Sequence, residues 1–158
     1  MSESIQSSIP VQQVQFRLVD IQKTDFIQND YLSLGYSRED ILKGDIALNV
    51  RFELNPDDEL FSVIIKMDYL KEGHLLFGIE TRHQYYVKNF RIALKFEDSG
   101  QFQVTDDLMK LWLQVAINDT RGMLVILNSQ HDYSRIILPL IDLSDLLKTI
   151  KKGIYRNL

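Results

Sequence analysis

Three stretches in the middle of the chain alternate apolar and polar residues with a period of two. They lie between residues 45 and 87 and read DIALNVRFEL, LFSVIIKMDY and HLLFGIETRHQYYV. Such alternation is typical of strands with one packed and one solvated face, and short turns separate these three. A similar pattern at residues 14–21 predicts an earlier strand. We therefore predict a four-stranded antiparallel meander, and RIALKF at 91–96 either extends its last strand or adds a fifth.

The stretch after the meander has the 3.6-residue period of a helix. Thr105, Asp106 and Asp107 form a good start, because a hydroxyl accepts a backbone N–H and acids favour the positive end of the helix dipole. The apolar arc is wider than the roughly 100° of an ordinary surface helix. We expect a helix that is buried on two sides, kinked into two segments or shared with another chain. Asp119 lies inside the arc and favours a bend there, with Asp119 capping the second segment.

The remaining segments complete an α+β architecture in which helices cover one face of the sheet. An irregular stretch at residues 28–44 carries its own apolar residues, and we expect it to lie on the sheet as a flap. The run RIILPLIDL follows the long helix, and it is too short for a helix and contains Pro139. Ser144 is expected to cap a short final helix that ends at Gly153.

Composition limits the classes of function. The 158 residues suit one domain, which we place at 14–158 behind a flexible Ser- and Gln-rich segment at 1–13. Without cysteine there are no disulfides, no thiol catalysis and no cysteine-ligated zinc. The formal net charge of −4 argues against a nucleic-acid partner. We find no signal peptide and no apolar run of ~18 residues, so we expect a cytoplasmic protein without an integral membrane segment.

Residues that often carry chemistry are scattered. His74, His83 and His131 have no metal-ligand spacing and are expected at the surface. There is no Gly-rich phosphate loop and no nucleophile elbow. We therefore expect no enzyme activity, metal or cofactor. Tyr31 and Tyr36 in the irregular stretch either anchor a flap or offer an adaptable apolar surface to an extended peptide.

The order of these segments resembles the SecB family of protein-export chaperones. The best local match begins at Arg121, where RGMLVILNS, IILPLIDL and SDLL resemble the end of the family's long helix, its proline-containing connector and the start of its last helix. FRLVDIQKTDF and LLFGIETRHQYYV resemble the first strand and the strand that ends the meander. The resemblance extends over about residues 14–150.

The resemblance implies an ATP-independent holdase that binds unfolded or extended polypeptides, which in the classical members of the family are proteins for export. Family members are homotetramers, built as dimers of dimers, in which long helices pair and sheet edges join between subunits. The implied client-binding residues are Tyr31, Leu34, Tyr36, Met123 and Leu127. The implied oligomer-interface residues are Trp112, Leu113 and Leu124.

Docking to a translocase motor is a further property of the family. Asp25 and Leu76 match positions that serve it, but Gly78 stands where a second acid is expected and the C-terminal tail is shortened to GIYRNL. These departures leave open a SecB-like chaperone for one specific client, such as an antitoxin. The other alternative is an α+β scaffold domain that pairs with one fixed protein partner.

Overall fold

The computed structural model describes residues 14–154, and side-chain burial is described as far as residue 150. Four strands form one antiparallel sheet: β1 (Phe16–Gln28), β2 (Asp45–Asn55), β3 (Leu60–Lys71) and β4 (His74–Val87). Their order across the sheet is β1-β4-β3-β2, so β1 and β2 are its edges. The predicted α+β class and the four-stranded sheet are confirmed.

Alternation of apolar residues creates the packed face of the sheet. Every second residue of β3 is buried on that face: Phe61, Val63, Ile65, Met67 and Tyr69. Phe61 pairs with Leu54 on β2 and with Tyr85 on β4, so the apolar face continues across strands. In β1 the register shifts between Leu18 and Asp20, and again after Lys23. These bulges break the period of two. The alternation therefore predicted a strand only over residues 14–21, although β1 continues to Gln28.

The stretch at 91–96 neither extends β4 nor forms a fifth strand. A single helical turn, α1 (Phe90–Ala93), follows β4 instead. Phe90 and Leu94 are both buried, and a spacing of four residues places them on one side of a helical turn. The apolar residues of this run therefore satisfy helical packing, although the short sequence also fits a strand.

The long helix, α2 (Asp106–Leu127), is one uninterrupted helix. Its start is as predicted, because Oγ1 of Thr105 accepts a hydrogen bond from the backbone N–H of Leu108 at 3.4 Å. The predicted bend at Asp119 is wrong. Oδ2 of Asp119 lies 3.3 Å from Nε2 of His83 on β4, so the acid within the apolar arc has a polar counterpart on the sheet.

The wide apolar arc of α2 is buried on two sides within one protomer. The helix packs on β3 and β4 and also contacts the final helix, α3 (Leu143–Ile154). Trp112 lies among the rings of Phe61, Tyr85 and Phe16, at centroid distances of 4.7, 5.3 and 5.5 Å. Burial on two sides within one chain therefore explains most of the wide apolar arc, without a kink or a second chain.

The final helix α3 begins two residues earlier than a cap at Ser144 implies. Oδ1 of Asp142 accepts hydrogen bonds from the backbone N–H groups of Ser144 and Asp145, so Asp142 is the capping residue. The helix also continues through Gly153 instead of ending there. In the part of the chain that the structure describes, none of the helices combines the length and the apolar character needed to cross a membrane.

Candidate functional site

Large apolar side chains lie in solvent where α2 ends and the chain turns toward α3. Val125 and Ile126 are 65% and 72% exposed, and Ile137 and Leu140 are 92% and 90% exposed. A monomeric soluble protein rarely exposes such a concentration of apolar surface without a binding role. We call residues 124–142 the open end of the molecule.

A cleft of about 180 Å³ lies within the open end. Most of its lining is apolar: Phe77, Leu124, Val125, Tyr133, Ile136 and Leu138. The rings of Phe77 and Tyr133 lie 4.9 Å apart and are both buried, so the base of the cleft is fixed. A cavity of about 150 Å³ accommodates a benzene-sized molecule, so this cleft has room for an apolar side chain from another polypeptide.

The segment between α2 and α3 is held against α2 by one arginine. Arg121 donates from Nη1 to the carbonyl oxygen of Pro139 at 3.0 Å and from Nη2 to that of Leu138 at 2.9 Å. Within residues 14–154, the backbone N–H groups of Ile137 and Leu140 have no protein acceptor. This segment therefore presents unpaired backbone donors beside two exposed apolar side chains.

The irregular stretch between β1 and β2, which we call the crossover segment (residues 29–44), is attached to the open end. The hydroxyl of Tyr31 donates to Oδ2 of Asp132 at 2.5 Å, and Nη2 of Arg38 lies 2.5 Å from Oδ1 of the same carboxylate. These two hydrogen bonds hold the pKa of Asp132 below its usual range. The carboxylate is therefore ionised at neutral pH, and the crossover segment lies against the turn that follows α2.

The predicted client residues of the crossover segment are only partly available. Tyr31 is buried and its hydroxyl donates to Asp132, so its side chain is not exposed to a client in this conformation. Leu34 is partly exposed. Tyr36 is half-buried, and its hydroxyl bonds to the carbonyl of Lys71 and to Nδ1 of His74. These two residues flank the turn between β3 and β4.

The two predicted client residues on α2 lie next to the cleft. Met123 and Leu127 are both half-buried and pack against the core. The cleft itself is lined by the neighbouring positions Leu124 and Val125. The two predicted client residues therefore lie on the same turn of α2 as two side chains that line the cleft, but neither of them lines it.

The predicted oligomer-interface residues lie in the core of the single chain. Trp112 and Leu113 have no exposed surface and Leu124 has almost none, because the sheet covers them within the protomer. Contact with a second chain requires side chains that the protomer leaves exposed. On α2 these include Leu111. The helix surface is also open at Gly122, where an added Cβ would meet no other atom within 4 Å.

The two predicted motor-docking residues have different surroundings. Leu76 is fully buried in the core, so its side chain has no exposed surface. Asp25 is exposed on β1 and pairs in register with Glu80. A Cβ at Gly78 would collide with the carboxylate of Asp68 on β3, so a larger residue at this position would require the side chain of Asp68 to move.

Two polar features were missed by the sequence analysis. His83 was expected at the surface but has no exposed area, and burial lowers its pKa although Asp119 acts in the opposite direction. His83 lies on the packed face because of the alternation of β4, so its burial could have been predicted from that pattern. The role of Asp132 depends on a contact with Tyr31 across about a hundred residues, and no local pattern signals that contact.

No protein-family model matches the chain, and no curated protein matches it either. What the open end can bind must therefore be derived from its geometry. Within the described residues, no group of three or more His, Asp and Glu side chains is arranged to hold a metal ion. The open end presents an apolar cleft, exposed aliphatic side chains and backbone donors, which together suit an extended polypeptide.

Proposed function

We propose that this chain is an ATP-independent holdase that resembles SecB and binds unfolded or extended polypeptides at its open end. The observation that carries the proposal is the position of Ile137 and Leu140, almost fully exposed beside an apolar cleft and carrying unpaired backbone N–H groups. A folded protein rarely retains such surface unless another molecule covers it.

Binding would combine two contributions that tolerate many client sequences. An apolar client side chain enters the cleft, and each large aliphatic group that becomes fully buried contributes about 1.5–3 kcal/mol. The client backbone accepts hydrogen bonds from exposed backbone N–H groups such as those of Ile137 and Leu140. Neither contribution depends strongly on the client sequence, and neither requires a nucleotide.

We further propose a homotetramer, built as a dimer of dimers. The edge strand β1 exposes Leu18, Val19, Ile21 and Ile27, and an unpaired apolar edge favours pairing with another chain. The outer face of α2 supplies the second contact around Gly122, where the helix backbone is accessible. Sedimentation equilibrium tests this assembly. A tetramer is expected at micromolar concentration, and a monomer well above it would contradict the proposal.

Whether the clients are proteins for export is a narrower proposal. Asp25 is the exposed residue that fits docking to a translocase motor, and Leu76 cannot contribute because it is buried. A chaperone dedicated to one client, such as an antitoxin, would use the same open end with higher selectivity. Competition between a range of unfolded proteins separates the two, because a general holdase shows similar affinities and a dedicated one shows a strong preference.

Light scattering of an aggregating denatured protein tests the function. Stoichiometric tetramer is expected to suppress the aggregation of many reduced, unfolded chains. The double variant Val125→Ser/Ile137→Ser should lose most of this effect, whereas Ile92→Ser should retain it, because Ile92 is 68% exposed but lies outside the open end. Absence of suppression by the unaltered chain, together with binding to one folded partner only, would support a scaffold domain instead.

A further inference from the structure

The segment between α2 and α3 carries two exposed aliphatic side chains on a fixed base. Ile137 and Leu140 are almost fully exposed, whereas Leu138 between them is buried and lines the cleft. Arg121 on α2 donates hydrogen bonds to the carbonyls of Leu138 and Pro139. The backbone of the segment is therefore attached to α2 while its two largest exposed side chains lie in water.

The end of α2 adds two more exposed aliphatic side chains to this surface. Val125 lies one turn beyond Arg121 and is followed by Ile126, and both are largely exposed. Val125 also lines the cleft together with Leu138 of the neighbouring segment. Because both elements border one cleft, the exposed aliphatic groups form a cluster at one end of the molecule.

The chain around this cluster is basic, although the protein as a whole is acidic. Residues 135–154 contain four Lys and Arg and two Asp, a net charge of +2. Residues 1–134 contain 13 Lys and Arg and 20 Asp and Glu, a net charge of −7, and Arg156 completes the total of −4. Such a charge asymmetry within one chain is typical of proteins that bind a nucleic acid or a membrane surface.

The cations lie on both sides of the exposed aliphatic residues along the chain. Arg135 precedes Ile137 by two residues and is exposed. Lys148 is exposed on α3, and at a rise of 1.5 Å per residue it lies roughly 8 Å along the axis from the start of that helix. Lys151 and Lys152 follow in the same helix.

The two acidic residues of the same region already have partners. Oδ1 of Asp142 accepts hydrogen bonds from backbone N–H groups at the start of α3, where the helix dipole is positive. Oδ1 of Asp145 lies 3.8 Å from Nζ of Lys148, an exposed pair of the kind that contributes little. Among the residues that the structure describes, Arg135 has no carboxylate partner. Its positive charge is therefore available to an anion outside the protein.

We propose that the open end, together with the start of α3, attaches the protein to the surface of an anionic lipid bilayer. Ile137 and Leu140 enter the boundary between headgroups and acyl chains, and Arg135 and Lys148 approach the lipid phosphates. The combination favours this partner, because a nucleic acid uses the cations alone and an uncharged surface uses the aliphatic groups alone. Attachment to a bilayer does not require the proposed function, although an unfolded polypeptide would compete for the same side chains.

Co-sedimentation of the full chain with lipid vesicles tests this attachment. The vesicles consist of phosphatidylcholine alone or of phosphatidylcholine mixed with the anionic phosphatidylglycerol. Binding is expected to be much stronger to the anionic vesicles, and it should weaken between about 0.1 M and about 1 M salt, because the screening length falls from about 10 Å to about 3 Å. Absence of binding to anionic vesicles, or equal binding to both kinds, would overturn the proposal.

A pair of isoleucine variants tests the aliphatic contribution. Ile137→Ser should weaken binding to anionic vesicles about 10-fold, because a large aliphatic group no longer leaves water. Ile92→Ser is the matched control, since Ile92 is also largely exposed but lies outside the open end, and it should leave binding unchanged.

A pair of double variants tests the charges. Arg135→Gln/Lys148→Gln should weaken binding to anionic vesicles about 10-fold at low salt, since each cation near an anionic surface contributes severalfold. Arg17→Gln/Lys88→Gln removes the same charge from exposed positions elsewhere and should have a much smaller effect. Equal effects of a variant and its control, in either pair, would contradict attachment through the open end.

Two other results assign the surface differently. If no vesicles bind and Ile137→Ser abolishes a concentration-dependent increase in mass, the surface is a contact between copies of the chain and the proposal is overturned. A chain that binds anionic vesicles but no unfolded protein contradicts the proposed function alone. A chain that binds unfolded protein but no vesicles contradicts the membrane attachment alone.

Discussion

The two ends of the interface between α2 and the sheet differ in how completely their apolar side chains are buried. At one end, which we call the closed end, Trp112 is surrounded by Phe16, Phe61 and Tyr85 and has no exposed surface. At the open end, directly after the buried Leu124, the same helix leaves Val125 and Ile126 in solvent. Packing of the protomer explains the closed end. It does not explain the open end, which is why we assign binding to it.

A polar layer separates the two ends. The hydroxyls of Thr81 and Thr120 are 2.6 Å apart and fully buried, and His83 faces Asp119 one step closer to the closed end. Burial raises the pKa of the neighbouring Tyr85 to about 12, as expected where water is excluded. The interior thus changes from aromatic to polar to open along α2.

The largest effect should come from the closed end. Trp112→Ala removes a fully buried side chain that contacts three other rings, and the loss of buried area plus the cavity should lower the free energy of unfolding by about 3–5 kcal/mol. Urea unfolding measures this change. The adjacent Leu111→Ala, at a partly exposed position, should cost far less. Similar losses for the two variants would contradict a closed end.

A smaller effect on stability is expected where Arg121 of α2 holds the segment between α2 and α3. Arg121→Met removes two hydrogen bonds to the carbonyls of Leu138 and Pro139. Each bond to a charged donor contributes about 1.5–3 kcal/mol, and part of this is recovered because water can reach the carbonyl of Pro139. We expect a loss of about 1–3 kcal/mol in urea unfolding and weaker binding of unfolded chains. Arg135→Met, at an exposed position beyond the cleft, is the control, and equal effects would show that the contact is unimportant.

The polar layer should make stability depend on pH. Because burial lowers the pKa of His83 in the folded chain, the unfolded chain binds the proton more readily. Stability from this residue is therefore complete above about pH 6.5 and is lost as the pH falls below it, by at most about 1.4 kcal/mol per pH unit. The variant His83→Gln should show a shallower dependence in urea unfolding between pH 7 and 5.5. An unchanged dependence would contradict this assignment.

The smallest effect on stability should come from the open end. Ile126→Ser replaces a side chain that is 72% exposed, and substitutions at such positions usually change stability by no more than about 0.5 kcal/mol. Thermal unfolding should therefore be nearly unchanged. A marked loss of stability would show that Ile126 packs against something in the folded assembly, and it would shift the interpretation of this surface from client binding to subunit contact.

Local patterns predicted the strands and the start of α2 because those features depend on neighbouring residues. The alternation of β2 to β4 and the hydroxyl cap at Thr105 are examples. The bend at Asp119 was predicted wrongly because its counterpart, His83, lies on a distant strand. The burial of the predicted interface residues was not foreseen for a related reason, since periodicity identifies apolar positions but not whether the same chain covers them.

The candidate site was harder to predict because its parts come together only in the folded chain. The cleft combines Phe77 of β4 with Tyr133 and the end of α2. The run that contains Pro139 was predicted to be too short for a helix, and proline, which has no backbone N–H, is the sequence signal of its irregular backbone. Its attachment to Arg121 could not be read from spacing alone.

The most direct test of the open end is amide exchange of the chain with and without a reduced, alkylated, permanently unfolded protein at saturating concentration. The N–H groups of Ile137 and Leu140 lack a protein acceptor in the free chain, so they should exchange rapidly and become slow when the client backbone accepts from them. Amides around Ile92 should not change. Client binding that leaves Ile137 and Leu140 unprotected, or that protects the region of Ile92 instead, would contradict the assignment of the open end as the binding surface.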